Sequence, residues 1–125
     1  MPGLSVYFVN KIIDHNLRGQ TYSVPASVYV QLHTADPGSL GSSGISAVST
    51  RKAATLSAAS GGGTVLVNDI TWNMTNRETI THISLWDAST GGNCLLTAPL
   101  EEAKNVYNGD TFQLPMLSVS IPAEA

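Results

Sequence analysis

Period-two alternation of apolar and polar residues, broken at near-regular intervals by Gly, Asn, Asp and Pro, runs through most of this sequence. In residues 28–33, Val28, Val30 and Leu32 alternate with Tyr29, Gln31 and His33. In 79–87, Thr81, Ile83 and Leu85 fall on one side, and Ile80, His82, Ser84 and Trp86 on the other. In 116–121, Leu117, Val119 and Ile121 alternate with Met116, Ser118 and Ser120. Such alternation marks strands with one face toward a core. The breaks are equally informative. Asp36-Pro37-Gly38 joins a residue that bonds its own backbone, a preset φ and a residue tolerant of positive φ. Asp87 ends a strand before Ser89-Thr90-Gly91-Gly92, a hairpin turn into 93–100, where its carboxylate can cap the N–H groups of 89–91. Asn108-Gly109 turns into 111–114. Further strands read at 50–57, with Ala54 and Leu56 on one face, and at 65–72, where a bulge near Asn68-Asp69 interrupts Val65, Val67, Ile70 and Trp72. The chain is therefore expected to be mainly β: an antiparallel sandwich or barrel of about seven or eight strands.

Two stretches depart from this pattern. In residues 4–17, Leu4, Phe8, Ile12, Ile13 and Leu17 recur at helical spacing, with Ser5 as N-cap and Gly19 as the left-handed residue past the end. One N-terminal helix is expected there, packed on the sheets or on another copy. Residues 38–48 are rich in Gly and Ser, carry no periodicity, and read as a long surface loop. The length of 125 residues suits a single domain over 1–125, with the β-sandwich spanning 26–122.

Charged residues make up only 12% of the chain, about half the usual share of ~25%. A surface built from Ser, Thr, Gly and Asn loses little on docking, because few charges need desolvation. The net charge of −3 argues against a protein held to nucleic acid by phosphate contacts. No apolar run approaches the ~18 residues of a membrane span, and the N-terminal residues lack a basic segment before an apolar one, so neither membrane insertion nor a signal peptide is expected.

No constellation of catalytic residues emerges. His15, His33 and His82 show no paired-ligand spacing. Gly41-Ser42-Ser43-Gly44 is not a nucleophile elbow, and no Gly-rich stretch ends in Gly-Lys-Ser/Thr. Cys94, the one cysteine, sits in a strand and reads as a buried structural thiol. The expectation is no enzyme, no cofactor and no metal.

The run VYVQLHTADPG, the Gly/Ser loop after it, THISLWDASTGGNCLLTAPL, then Lys104, Asn108-Gly109-Asp110-Thr111-Phe112 and a closing LSVSI strand resemble a family of small virion proteins of tailed bacteriophages. Its members are labelled minor tail or tail-fibre-like proteins. The family shows a Gly-Tyr-x-Arg stretch after the long loop; here Ser49-Thr50-Arg51 keeps the arginine and lacks the tyrosine. The resemblance implies a non-enzymatic structural protein of the virion, assembled in the bacterial host. A small, weakly charged β-domain without heptads suits capsid decoration on the particle exterior, where many copies act by avidity. The alternative is a minor tail or tail-fibre-type protein, including a receptor- or glycan-binding tip using Trp72, Trp86 and Tyr107. Its partners would be other copies, as a trimer or larger, and virion proteins such as the major capsid protein or tail proteins. Candidate contact residues are Tyr7, Val9, Leu40, Ile45 and Trp86; Asp36, Pro37, Gly38, Asp87, Gly91 and Gly92 are structural turn residues.

Overall fold

A computed structural model describes residues 3–114 and 117–120. In chain order these form β1 (Gly3–Leu4), α1 (Val6–Leu17), β2 (Val28–His33), β3 (Lys52–Ala54), β4 (Gly63–Val65), β5 (Ile70–Asn73), β6 (Glu78–Trp86), β7 (Cys94–Val106), β8 (Thr111–Leu114) and β9 (Ser118–Ser120). The protein is mainly β, with antiparallel pairing between all neighbouring strands and one helix near the N-terminus. Five strands form the main sheet in the order β1-β7-β6-β2-β3. The ribbons β4–β9 and β5–β8 pack onto one of its faces as a sandwich-like second layer, and among the described residues no barrel closes. Met116 and Ile121 of the expected last strand lie outside the described residues.

The core lies between these layers. Val30 and Leu32 of β2, Ile80, Ile83 and Leu85 of β6 and Leu96 of β7 meet Ile70, Trp72, Met74, Phe112 and Leu114 from the other side. Trp72 and Phe112 are cross-strand partners with ring centroids 6.0 Å apart. At full burial each large apolar side chain contributes about 1.5–3 kcal/mol.

The structure differs from simple alternation at one face and at one expected bulge. The pairing of β6 with β7 slips between Ile80 and His82, where β7 carries extra residues. Alternation along β6 does not carry through this irregularity. Ile80 therefore points into the core with Ile83 and Leu85, while Thr81 is half-buried. Near Asn68 the chain does not bulge within one strand. It leaves the β4–β9 ribbon and enters β5–β8, as the Asn68 carboxamide accepts the Thr55 N–H at 2.8 Å. Leu66 turns inward there, leaving Val65 and Val67 exposed.

The helix begins two residues later than its spacing suggests. Leu4 pairs with Leu96 in the sheet, and the Ser5 N–H donates to the Leu95 carbonyl at 2.8 Å. Only then does Ser5 Oγ cap the helix, accepting the Phe8 N–H at 3.1 Å. No helix residue is fully buried; Val6 is 71% and Leu17 80% exposed.

Candidate functional site

Burying the odd-numbered side of β2 requires a second cover, and residues 34–49 supply it. Gln31, His33, Ser84, Trp86 and Cys94 point away from the core, yet all five are buried. The Gly/Ser stretch lies across them rather than projecting as a free surface loop. Its backbone is tied to the end of β2: the Thr34 N–H donates to Gly44 O at 2.7 Å and the Ser46 N–H to Leu32 O at 3.1 Å. Its far end is clasped by Glu78, whose carboxylate accepts from the Ser46 hydroxyl and, at 3.2 Å, from the Ala47 N–H. The expected turn forms at its start, where Asp36 Oδ1 accepts the Gly38 N–H at 2.9 Å and Pro37 is buried.

Beneath the cover runs a one-directional chain of hydrogen bonds. The Trp86 indole N–H donates to Ser84 Oγ at 2.7 Å. Ser84 Oγ lies 2.7 Å from His33 Nε2, and His33 Nδ1 lies 2.8 Å from the Ser43 carbonyl. A carbonyl only accepts, so His33 carries its proton on Nδ1, and Nε2 accepts from Ser84. His33 is fully buried, and burial lowers its pKa from the ordinary value. Gln31 donates to Ser49 O at 3.1 Å, but its carboxamide oxygen has no partner. Such an atom costs about 1–3 kcal/mol.

Arg51 staples the edge of this region. Its guanidinium carbon sits 3.7 Å from the Trp86 ring centroid, and Nη1 donates to Ala88 O at 2.9 Å and Gly91 O at 2.7 Å. The 89–92 turn is thus held from outside by a planar cation stacked on an aromatic face. Asp87 caps this turn differently from the expected way. Its Oδ1 accepts the Asn93 backbone N–H at 2.8 Å and Oδ2 the Asn93 side chain at 3.2 Å, across the hairpin mouth rather than within 89–91. A Cβ on Gly92 would lie 2.3 Å from Asp87 Oδ1, so this cap and Gly92 require each other. Asp87→Ala is expected to cost about 1 kcal/mol, while Asp69→Ala stays within about 0.5. Comparison of the two melting curves checks the assignment.

Trp86 is only 7% exposed, so it serves packing rather than offering an open contact. Its edge lines a cleft of about 330 Å³ with Tyr7, Leu40, Asn93 and Cys94. Burial pushes the Cys94 thiol up to about 11, so it is protonated at neutral pH and a poor nucleophile. Leu40 is 74% exposed at the cleft's lip, Ile45 is exposed beside the end of β2, and Tyr7 and Val9 are half-buried on α1. An apolar cavity of about 250 Å³ lies on the other side of the helix, between Phe8, Val28, Leu56, Leu96 and Val119.

The residues proposed from sequence for sugar stacking do not converge. Trp72 is in the core, its indole N–H bonded to Thr50 O at 2.9 Å. Trp86 lies under Arg51, and Tyr107 faces Arg77 at 5.5 Å. Of the histidines, His33 and His82 are cross-strand partners, whereas His15 lies at the helix end; His15 bonds Gln20 O and His82 bonds Thr81. Among the described residues, no three of His, Cys, Asp and Glu come together as metal ligands. Three interactions escaped the sequence reading: the His33–Ser84–Trp86 chain, the Glu78 clasp and the Arg51 staple. Only Arg51 carried a signal, as the one matching residue of the motif after the loop.

This arrangement spends its polar side chains on fixing turns and a loop against a sheet, which is the pattern of a structural β-module. The family model of the podophage GP4 fiber I protein gp80 matches residues 3–122, and the chain belongs to that family. It is accordingly a phage structural protein of fibre type and a virion component. A search of curated proteins gave no match. The resemblance to tail-fibre-like virion proteins agrees with this family. The match fits the tail-fibre alternative better than capsid decoration.

Proposed function

We propose that this protein is a non-enzymatic subunit of a podophage tail fibre, acting in several copies and contacting other tail proteins. The observation that carries the placement is the fibre-family match over nearly the whole chain. The lightly charged surface and the uncovered helix support self-association. Val6, Leu17 and Leu40 are each more than two-thirds exposed, and burying such side chains on a neighbour recovers the transfer energy the isolated fold forgoes. The contact surface is α1 together with the Leu40 lip of the cleft, and the assembly is a trimer or larger.

Quantitative mass spectrometry of separated heads and tails tests the placement. The protein is expected in the tail fraction, and recovery with emptied heads would return it to capsid decoration. Light scattering of the purified chain tests the assembly. A multiple of 13.1 kDa is expected, reduced to the single mass by Val6→Ser with Leu40→Ser while melting changes little. Deleting residues 40–46 is not a clean alternative, because that segment covers Trp86 and Cys94 and its loss would damage the fold itself.

A further inference from the structure

We propose that residues 34–49 form an acid-released cover over the outer face of the main sheet, with His33 as the trigger. The geometry suits the neutral ring. Neutral His33 donates through Nδ1 to Ser43 O and accepts through Nε2 from Ser84, whose oxygen already takes the Trp86 N–H. A second proton on the ring turns Nε2 into a donor. It then faces the Ser84 hydroxyl proton, which must rotate toward an acceptor that this chain of bonds does not supply. The new charge is also fully buried.

The neighbouring charges do not compensate. Across the sheet His82 stands directly opposite His33, and Arg51 follows the cover; both disfavour a cation at His33. Two carboxylates lie nearby. Asp36, at the start of the cover, acts on His82, and Glu78 is engaged with Ser46 and Ala47. Opening relieves each difficulty. It hydrates the imidazolium, frees Ser84 and gives water to the unpartnered Gln31 oxygen. It also uncovers Trp86 and Cys94, on which Gly41 of the cover rests.

The sign follows from the buried neutral ring. The closed state binds the proton less well than the open state, so closure is full above the ordinary histidine pKa of ~6.5. Below it the opening constant rises by up to about tenfold per pH unit, until the closed-state pKa is passed.

Hydrogen exchange followed by NMR on the full chain, between pH 7.5 and 4.5 and corrected for intrinsic rates, tests this. Protection of the Thr34 and Ser46 amides is expected to fall below pH 6.5, while Ile83 and Leu85 hold theirs. The response should persist in His82→Gln and Glu78→Gln and vanish in His33→Gln. Flat protection, simultaneous loss in loop and core, survival in His33→Gln, or loss in either control would overturn the proposal. If His33→Gln does not fold, the ring ¹⁵N shifts of wild-type His33 decide. A titration midpoint coincident with loop release supports the trigger, and a separate midpoint refutes it.

Discussion

Replacing Gly41 by alanine should destabilise the protein by about 3 kcal/mol and lower its melting temperature by roughly 10 °C. Two costs combine. Gly41 has φ +71°, a left-handed conformation that costs an L-residue about 1–2 kcal/mol. Its new methyl group would also lie 2.6 Å from Cys94 Sγ and 3.0 Å from Trp86 Cζ2. Both are buried and cannot swing away, so the cover must lift or the Trp86 ring must shift, at a further ~1–3 kcal/mol. Gly61→Ala is the control. It has φ +59° with no atom within 4 Å of the added carbon, so only the backbone cost applies. Urea unfolding of the two variants separates strain from crowding. Equal losses would mean that the cover does not press on the sheet.

Trp86→Ala should be more costly still, at about 3–5 kcal/mol. The indole fills the space beneath the cover, donates to Ser84 and supports the Arg51 guanidinium. Arg51→Ala should cost about 1.5–3 kcal/mol through its two carbonyl bonds and lost stacking. The two residues touch, so the double variant should lose less than the sum, with a coupling of roughly 1–2 kcal/mol. Arg51→Lys should not restore the loss, since an ammonium neither stacks nor spans two carbonyls in a fixed plane. A Trp86→Ala protein that melts like wild type but fails to assemble would make Trp86 the contact residue first suggested by its sequence neighbourhood.

These predictions rest on residues that differed in how readable they were. Asp36-Pro37-Gly38 and the 89–92 turn were legible because their geometry depends on a few adjacent φ angles and on side chains that bond their own backbone. Ser5 and Gly19 marked the helix ends for the same local reason. Leu4 has helical spacing yet joins a strand, because its partner, Leu96, lies far along the chain. Ile80 departs from the face its alternation implies, because a register slip depends on how two strands meet and alternation along one strand carries no record of it.

The sequence alone determined the mainly β class, the positions of the principal turns, the single helix and a surface poor in charge. All follow from local backbone preference, period and composition, which act over a few residues at a time. Only the tertiary structure decided that the polar side of β2 and β6 is buried. Nothing in Gln31, His33 or Ser84 announces burial; it arises because residues 34–49 fold back over them and offer the Ser43 and Ser49 carbonyls as partners. It also decided that Arg51 reaches 37 and 40 residues ahead to hold the Ala88 and Gly91 carbonyls. Such bonds form only after distant segments have been brought together by the apolar core. Hydrophobic burial is non-directional and cannot choose polar partners in advance; they are selected by the geometry the core leaves behind.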